Sequence, residues 1–591
     1  MPPDAAPLLL PVPRRCERQP GTCVVPNPLT VAGDPGPVQD ALHRPLKTGV
    51  DGFLRLAVAP GAGEGYHLAV RLDHIDLRAD GQPGLRHALA TLEQLLGQYG
   101  NELPCLAIDD APAFAVRGVM LDISRDRVPT MASLEALIPT LAGWKINHLQ
   151  LYMEHTFAYA GHEEVWRQAS PLTADEVQRL DALCQRHGIA LVANQNCLGH
   201  LERWFRHARY TPLAEISPGQ SWDFGGIATK TGPFSLCPGD PRSLPLIEDL
   251  LGQLLPNFHS PQVNIGCDEA FDIGQGRSAD AVASRGRAAV YLEMVSRICA
   301  VAQHHGKQPL FWADIALEHP EALAALPADL VGLAWGYEGD TPFARWVRQL
   351  RAAGRSAWVC PGTSCWRSIT GRTTERRANL LAAARDGLAA GAEGYLITIW
   401  GDLGHRQQWP VTLAALAEGC HRAWSGAAPY DPRAASLHAF GDPSLSVATW
   451  LDALGDVDLE LRQAGPTPLR NATALFTDLS KGLDEPWLGE SGDWRKVINR
   501  IQALLMPACL SFMPHVDRLI GEELMLAANE AYLAAARAGW RRAMHRDLAF
   551  AVRLRQRQDA IVHRYRQTWL ARCRPGGLED SIARYSAIEL P

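Results

Sequence analysis

The sequence predicts an α/β fold: a (β/α)8 TIM barrel with a small N-terminal α/β domain and a C-terminal α-helical domain. Between residues 113 and 428, short apolar runs alternate with helical stretches eight times, as expected for a parallel sheet. From about Asp431 the strand pattern ends and the chain becomes rich in Ala, Leu and Arg. A chain of 591 residues can hold several domains, one of them a barrel of about 250 residues.

Residues 1–112 begin with a Pro-rich lead, and we expect this lead to be poorly ordered. The rest of this range predicts a small α/β domain. Apolar residues alternate with other residues over Gly65–Leu72, and Ile75 and Leu77 continue this pattern, which predicts a strand. Leucines at helical spacing over Leu85–Leu96 predict an amphipathic helix.

Residues 113–428 contain eight candidate strands with candidate helices between them. An open doubly wound sheet is the alternative, but such sheets usually have fewer strands. The predicted strands are Gly118–Ile123, Ile146–Met153, Ile189–Ala193, Gln262–Gly266, Pro309–Trp312, Leu330–Trp335, Ala357–Cys360 and Tyr395–Trp400. The clearest predicted helices are Ala174–His187, Ala289–His305 and Ala378–Ala390.

Residues 429–591 predict a helical domain, with helices over Leu504–Leu510, Leu524–Ala538 and Asp547–Trp569. This domain carries a dense run of arginines. We expect solvated helix faces and ion pairs with the barrel; the alternative is a homodimer surface or a rim for an acidic glycan. The arginines are Arg537, Arg541, Arg542, Arg546, Arg553, Arg555, Arg557, Arg564 and Arg566.

Composition excludes several classes of protein. A hydrophobic fraction of 47% and a charged fraction of 20% exclude a mainly disordered chain, and a net charge of −7 argues against a nucleic-acid binder. No apolar window is long enough for a membrane span, and Pro11 ends the short run Leu8–Leu10, which is too short for a secretory signal. Thirteen scattered cysteines without a Cys-x-x-Cys pair favour reduced thiols in a cytoplasmic protein.

Active sites of such barrels lie at the C-terminal ends of the strands, and this sequence places polar and aromatic residues there. Asp268 and Glu269 follow the fourth strand. We expect the two adjacent side chains to point in different directions and to do different work, one donating a proton and the other staying ionised. That division suits glycoside hydrolysis. Further candidates at the strand ends are Arg125, Glu154, His200, Trp312, Asp314, Trp335, Tyr337, Trp366, Trp400 and Asp402.

The tryptophans among these candidates would give a sugar its flat walls. Trp, at 17 residues, outnumbers both Phe and Tyr, although most of the seventeen are expected in the core. No His-x-x-x-His motif, P-loop, Gly-x-Gly-x-x-Gly loop or Gly-x-Ser-x-Gly elbow is found, so we expect neither a cofactor nor a metal.

Several of these segments resemble glycoside hydrolase family 20, the β-N-acetylhexosaminidases. Arg117-Gly-Val-Met-Leu-Asp122-Ile-Ser-Arg125 resembles the family's opening signature. Asn264-Ile-Gly-Cys-Asp268-Glu269 stands where the family usually has His-x-Gly-Gly-Asp-Glu. With Trp400-Gly401-Asp402 and the run Trp569–Leu578, the sequence is similar to a bacterial branch of intracellular exo-hexosaminidases.

The resemblance implies an exo-acting, retaining enzyme whose substrate supplies its own nucleophile, the 2-acetamido oxygen, and passes through an oxazolinium intermediate. It implies that Glu269 is the general acid and base and that Asp268 orients the acetamido group. It further implies that Arg125 binds the sugar's O3 and O4, that Asp402 replaces a family glutamate on O4 and O6, and that His200 supports the acid. Aromatic walls would come from Trp312, Trp335, Trp366 and Trp400.

One departure from the family pattern concerns a tyrosine. The family's strand-seven Tyr-x-Asp is missing around Pro361–Trp366, and Tyr337 and Tyr395 are the candidates to replace that Tyr. The expected partner is a glycan with a terminal β-linked N-acetylhexosamine, either GlcNAc or GalNAc.

Three alternatives remain. A family 20 relative could have shifted specificity, releasing a disaccharide or a modified hexosamine. A non-catalytic carbohydrate-binding protein could use the same barrel. A conventional retaining glycosidase would use a carboxylate nucleophile, such as Glu154 or Asp402.

Overall fold

The structure is a computed structural model, and it describes residues 6–32, 36–42, 44–49, 51–464, 468–481 and 488–585. None of the helices in these ranges is long and apolar enough to cross a membrane.

The N-terminal part forms a seven-stranded mixed sheet covered by one long helix. Its strands are β1 (Arg15–Val24), β2 (Leu29–Ala32), β3 (Leu46–Thr48), β4 (Leu54–Val58), β5 (Ala62–Val70), β6 (Ile75–Gly81) and β7 (Glu102–Asp110), in the order β1-β7-β5-β6-β4-β2-β3. Its helices are α1 (Gly36–Ala41) and α2 (Gln82–Tyr99). Helix α2 confirms the predicted amphipathic helix and buries its leucines against the sheet.

Two details of this domain differ from the prediction. The single alternating pattern around residues 65–77 is two antiparallel strands, β5 and β6, because the chain reverses between Val70 and Ile75. The lead is not poorly ordered over its described part: Leu9 and Leu10 are buried and β1 joins the sheet edge. Gln94 on α2 fixes this segment, since its side chain exchanges hydrogen bonds of 2.9 and 2.6 Å with the backbone of Leu10.

The central part is a closed barrel of eight parallel strands, as predicted. The strands are β8 (Val116–Asp122), β9 (His148–Met153), β10 (Ala190–Gln195), β13 (Gln262–Asn264), β14 (Gln308–Trp312), β15 (Val331–Trp335), β16 (Ser356–Cys360) and β17 (Gly394–Ile399), and β17 pairs with β8 to close the ring. A hairpin that the sequence did not predict, β11 (Ser221–Phe224) and β12 (Ala228–Thr231), is inserted after β10.

Helices surround the barrel and connect its strands. They are α3 (Met131–Gly143), α4 (Glu163–Trp166), α5 (Ala174–Arg186), α6 (Glu202–Phe205), α7 (Ser243–Leu254), α8 (Ala279–Arg285), α9 (Arg287–His304), α10 (Asp314–Glu318), α11 (Phe343–Ala352), α12 (Thr373–Ala390) and α13 (Trp409–Ser425). The barrel interior holds a separate cluster rich in aromatic residues, including Tyr152, Trp312, Trp358, Trp366 and Trp400. The same interior therefore fills the core and supplies aromatic walls.

The C-terminal part is helical. Its helices are α14 (Pro432–Phe440), α15 (Val447–Gly455), α16 (Leu459–Gln463), α17 (Ala474–Lys481), α18 (Ser491–Leu504), α19 (Arg518–Arg541), α20 (Leu548–Arg572) and α21 (Leu578–Ala583). Helices α19 and α20 confirm two predictions. The helix predicted over Leu504–Leu510 is wrong, because α18 ends at Leu504 and Pro507 begins a short 3₁₀ turn. A proline holds the residue before it in extended conformation, as Met506 shows.

Most of the C-terminal arginines have partners inside their own domain rather than on the barrel. Arg541 and Arg542 both contact Asp478, and Arg566 pairs with Glu579. The predicted ion pairs with the barrel are therefore wrong for these arginines.

Charged pairs lock the three parts together. Arg117, completely buried at the start of the barrel, makes a bidentate ion pair with Glu64 of the N-terminal sheet, at 2.6 and 2.8 Å. On the other side, Arg574 donates to Glu176 of the barrel at 2.8 Å. The chain beyond α20 is thereby held close to the barrel, with Arg584 bordering the same cavity as Arg125.

Candidate active site

Asp268 and Glu269 lie just beyond the short strand β13, where the backbone turns sharply. Gly266, Cys267 and Glu269 have φ values of +69°, +72° and +52°, all in the left-handed region. This turn brings both carboxylates to one imidazole: His200 Nε2 lies 3.3 Å from Asp268 Oδ2 and 3.4 Å from Glu269 Oε2. The sequence predicted that the two side chains would point in different directions; they instead converge on His200.

The two carboxyl groups are nevertheless held in different states. Burial alone would raise the pKa of Asp268, but His200 and a 2.8 Å hydrogen bond from Asn196 Nδ2 lower it below its usual value. Burial, together with the charge of Asp268, raises the pKa of Glu269. Asp268 is thus suited to remain an anion while Glu269 carries a proton, which is the division of labour expected from the sequence.

The imidazole between these groups has its own electrostatic balance. Burial lowers the pKa of His200, but Asp268 and Glu269 together raise it to about 9 overall. On its other side, His200 Nδ1 lies 3.3 Å from Arg125 Nη2. His200 therefore links the acid pair to the arginine at the first strand end.

Asp314 fixes the acid in place. Its Oδ2 accepts a 2.9 Å hydrogen bond from the backbone N–H of Glu269, and its Oδ1 accepts a 3.4 Å bond from Trp335 Nε1. The sequence placed Asp314 at the fifth strand end but assigned it no role. Its carboxylate holds the left-handed Glu269 and an aromatic wall in one arrangement.

Arg125 is held by charges and by aromatic faces. Its guanidinium lies 3.3 Å from Asp122 and 3.2 Å from Glu154, and it stacks over the rings of Tyr152 and Trp400 at 4.7 and 5.1 Å. These contacts fix the guanidinium plane beside the pocket, where it can donate to the hydroxyls of a sugar.

Glu154 belongs to the same group of contacts. Tyr152 donates to its Oε1 at 3.0 Å. Burial raises the pKa of Glu154 to about 7, with Arg125 opposing that shift. A carboxyl with a raised pKa that is also paired with Arg125 is a poor nucleophile, which argues against the conventional retaining mechanism at this residue.

Four tryptophans and one tyrosine form a continuous aromatic wall. Tyr337 stacks on Trp335, with ring centroids 5.4 Å apart, and meets Trp366 edge-on at 4.8 Å. Trp400 donates from Nε1 to the Tyr337 hydroxyl at 2.7 Å and packs 5.7 Å from Trp312. Every predicted wall residue is therefore part of one assembly.

The same contacts distinguish the two candidates for the missing strand-seven tyrosine. Tyr337 lies in the wall, whereas Tyr395 donates to the carbonyl of Leu380 in the core outside the barrel interior. The indole N–H groups of Trp312 and Trp366 are buried and have no acceptor among the described residues. Buried donors of this kind are rare and fit a site that receives a polar ligand.

Asp402 follows Trp400 and Gly401 and is half-buried. Burial raises its pKa, and Arg125 and Arg367 oppose the shift.

Lys230, on β12, lies over the rings of Phe224 and Phe234 and lowers the pKa of Glu269. The sequence analysis did not identify Lys230, because it lies on an inserted hairpin rather than at the end of a barrel strand.

Among the described residues, no group of three or more His, Cys, Asp or Glu side chains is arranged to hold a metal ion.

Comparison with protein families agrees with this geometry. Residues 6–111 match the model described as "Glycosyl hydrolase family 20, domain 2", and residues 114–366 match "Glycosyl hydrolase family 20, catalytic domain". The two matched ranges together span more than half of the chain. The chain belongs to glycosyl hydrolase family 20.

Curated family 20 relatives are similar over part of their length. A "Beta-hexosaminidase" of Vibrio furnissii is 41% identical over 245 residues, which cover 37% of this chain and 39% of that protein. A "Beta-hexosaminidase" of Akkermansia muciniphila is 25% identical over 286 residues, covering 44% and 57%. The chain thus spans about half the length of the curated relatives it matches.

Solved family 20 structures share the fold. The Flavobacterium johnsoniae chitobiase superimposes with a TM-score of 0.60 at 15% identity, covering 94% of this chain and 96% of that chain. A Vibrio harveyi exo β-N-acetylglucosaminidase in complex with N-acetylglucosamine gives 0.60 at 17% identity, covering 76% and 78%. The first of these matches covers nearly the whole chain, and the second covers about three quarters of it.

Proposed function

We propose that the protein is an exo-acting, retaining β-N-acetylhexosaminidase that releases terminal GlcNAc or GalNAc by substrate-assisted catalysis. The observation that carries this proposal is the acid pair. Two adjacent carboxyl groups face one imidazole, with the pKa of Asp268 lowered and that of Glu269 raised, beside an aromatic pocket. Two relatives named as β-hexosaminidases support the same activity.

In the first step, the acetamido oxygen of the substrate attacks C1 while the bond from C1 to the leaving oxygen breaks. Glu269 gives its proton to that oxygen, so the aglycone departs as an alcohol. Asp268 remains anionic and holds the acetamido N–H as positive charge develops on the oxazolinium. A quarter of the Glu269 side chain is exposed, which leaves the acid open to a leaving group.

In the second step, water adds to C1 from the face that the aglycone left. Glu269, now a carboxylate, takes the proton from this water, and the C1–acetamido bond breaks. Two inversions give net retention, and the enzyme regains its starting protonation. Arg125 and Asp402 would hold the ring hydroxyls of the terminal sugar.

The test is hydrolysis of an aryl N-acetyl-β-glucosaminide. Glu269→Gln keeps the shape of the acid but cannot supply the proton, so we expect a loss of 10²-fold or more in kcat. Glu248→Gln, an exposed carboxyl on α7, is the matched control and should keep wild-type activity. A thiazoline analogue of the intermediate should inhibit the wild type competitively; an active enzyme that ignores this analogue contradicts the substrate-assisted mechanism.

Two outcomes would favour the alternatives. A covalent sugar trapped on Glu154 or Asp402 would support a conventional carboxylate nucleophile. A protein that binds N-acetylglucosamine but releases no product in a single-turnover assay would be a carbohydrate-binding protein on the same barrel.

Two further proposals concern setting and assembly. We propose a reducing compartment such as the cytoplasm, supported by thirteen free cysteines, of which only Cys16 and Cys509 are exposed. We also propose a homodimer through the C-terminal helices, supported by exposed Leu548 and Val552 one turn apart on α20. Light scattering of the wild type and of Val552→Lys would test the second, since the substitution should yield monomers.

A further inference from the structure

A cavity of about 210 Å³ opens beside Arg125. It shares Arg125, Glu154 and His200 with the candidate active site, so it is continuous with the sugar pocket. Its remaining walls come from the loop after β8, from helix α6, from the turn after Asp402 and from the chain beyond α21. Nothing in the catalytic scheme above uses these outer walls.

Four guanidinium groups line this cavity: those of Arg125, Arg203, Arg206 and Arg584. Arg203 lies 2.7 Å from Asp126, and Arg584 lies 3.7 Å from the same carboxylate, so one anion serves two cations. Arg203 has a second partner in Asp580, at 3.1 Å. Arg206 is exposed and makes no side-chain hydrogen bond or ion pair with any of the described residues.

The carboxyl groups that face the cavity are those of Asp126, Glu154 and Glu202. Two more pair with its arginines from outside the lining, Asp122 with Arg125 at 3.3 Å and Asp580 with Arg203 at 3.1 Å. Burial raises the pKa of Glu154 to about 7 and raises the pKa of Asp126 as well. His200, also in the lining, adds positive charge below its raised pKa. Of the arginines in the lining, Arg206 is therefore the one without an ionic partner among the described residues, so its charge is available to a ligand.

We propose that this cavity is a subsite for a compact anion carried on the O3 or O4 edge of the terminal N-acetylhexosamine. The inference rests on the proposed function, in which Arg125 grips O3 and O4. Guanidinium groups bind carboxylates and sulfates through paired hydrogen bonds, and Arg206 has its donors available for such a group. The space is sufficient for several water molecules, and hence for a carboxyalkyl ether or a sulfate ester. The substrate class is therefore an acidic hexosamine, one form of the modified hexosamine that the sequence left open.

The experiment compares aryl N-acetyl-β-glucosaminides that differ only at O3 or O4. At each position, the set contains a free hydroxyl, a neutral methyl ether, a carboxymethyl ether and a sulfate ester. The measured quantity is the ratio of kcat/KM for an acidic substrate to that for the methyl ether. This ratio removes effects of size and leaves the effect of charge.

In the wild type, we expect this ratio to exceed one at O3 or at O4 and to fall as ionic strength rises, because part of the attraction is screened. Arg206→Gln and Arg584→Gln should each lower the ratio about tenfold, equivalent to about 1.4 kcal/mol. Arg348→Gln, an exposed arginine on α11 outside the cavity, is the matched control and should leave the ratio unchanged. The carboxymethyl and sulfate arms then show which anion the site prefers.

The possible failures are distinguishable. An enzyme that hydrolyses the unsubstituted glycoside but shows no preference for acidic substrates at either position overturns the subsite and leaves the proposed function intact. Variants that lower all substrates equally also overturn it, since the arginines would then act only on structure. A protein that hydrolyses none of the glycosides contradicts the proposed function itself.

Discussion

Tyr337 offers the sharpest test of the pocket, because the family's tyrosine at strand seven is missing and Tyr337 lies in the aromatic wall. Its hydroxyl accepts from Trp400 Nε1 at 2.7 Å and also interacts with the Thr398 side chain, so its hydrogen would turn from Thr398 to a bound ligand. We expect that hydrogen to bind the acetamido oxygen as it attacks C1. Tyr337→Phe removes the hydroxyl and keeps the ring that stacks on Trp335.

The magnitude follows from two losses. A preorganised donor at developing charge is worth about 10²–10³ in kcat. The Trp400 N–H also loses its acceptor in a buried wall, at a cost of about 1–3 kcal/mol in stability. We therefore expect kcat on an aryl N-acetylglucosaminide to fall about 100-fold, with weaker inhibition by the thiazoline analogue and a modest fall in Tm.

Tyr395→Phe is the matched control, because its hydroxyl donates to the Leu380 carbonyl in the core. It should lower Tm and leave kcat near the wild-type value. The reasoning is refuted if Tyr337→Phe retains kcat within about threefold of the wild type. It is also refuted if the loss of activity in both variants equals the loss in the fraction of folded protein.

Three further predictions concern the acid, its environment and the domain interface. Asp314→Ala should lower kcat at least tenfold with a modest fall in Tm, because the Glu269 backbone and the Trp335 indole both lose their acceptor and the left-handed turn loses its partner; an unchanged kcat would show that the turn does not depend on Asp314. Lys230→Gln should move the basic limb of the pH profile of kcat/KM to higher pH. Lys230 lowers the pKa of Glu269, and the acid acts when protonated, so that without this cation Glu269 keeps its proton to higher pH. The control is Lys496→Gln, a substitution of an exposed lysine on α18, which should leave the pH profile unchanged. A shift of the basic limb to lower pH with Lys230→Gln would contradict the assignment. Glu64→Ala should lower the free energy of unfolding by about 3–5 kcal/mol, because it strands the buried Arg117, while kcat of the folded protein stays near wild type; chemical denaturation measures the first and a glycoside assay the second.

Much of the fold could be predicted because its signals are local. Apolar runs bounded by polar residues predicted all eight barrel strands, since each strand is buried on both faces. The leucine spacing of α2 and the long helices α19 and α20 were equally clear. Two errors arose where an apolar pattern continues although the chain changes direction, at the turn between β5 and β6 and at Pro507. A third arose in the N-terminal lead, which has no periodic pattern and is held by hydrogen bonds from Gln94 on α2.

The site divides in the same way. Strand ends in a barrel meet at one rim, so position alone predicted Asp268, Glu269, Arg125 and the tryptophans. Position could not predict that left-handed backbone would turn both carboxylates to His200, or that Asp314 would hold that backbone. Those facts depend on φ values and on contacts between distant segments.

The sequence by itself determined the barrel, the two flanking domains and the residue types at the mouth, because burial and periodicity are written along the chain. Only the tertiary structure decided which tyrosine joins the wall, which carboxyl group has the raised pKa and which cavity Arg206 and Arg584 share with Arg125. Those outcomes depend on burial and on distances between segments tens to hundreds of residues apart, and electrostatic effects of this kind vary with geometry that a sequence pattern does not specify.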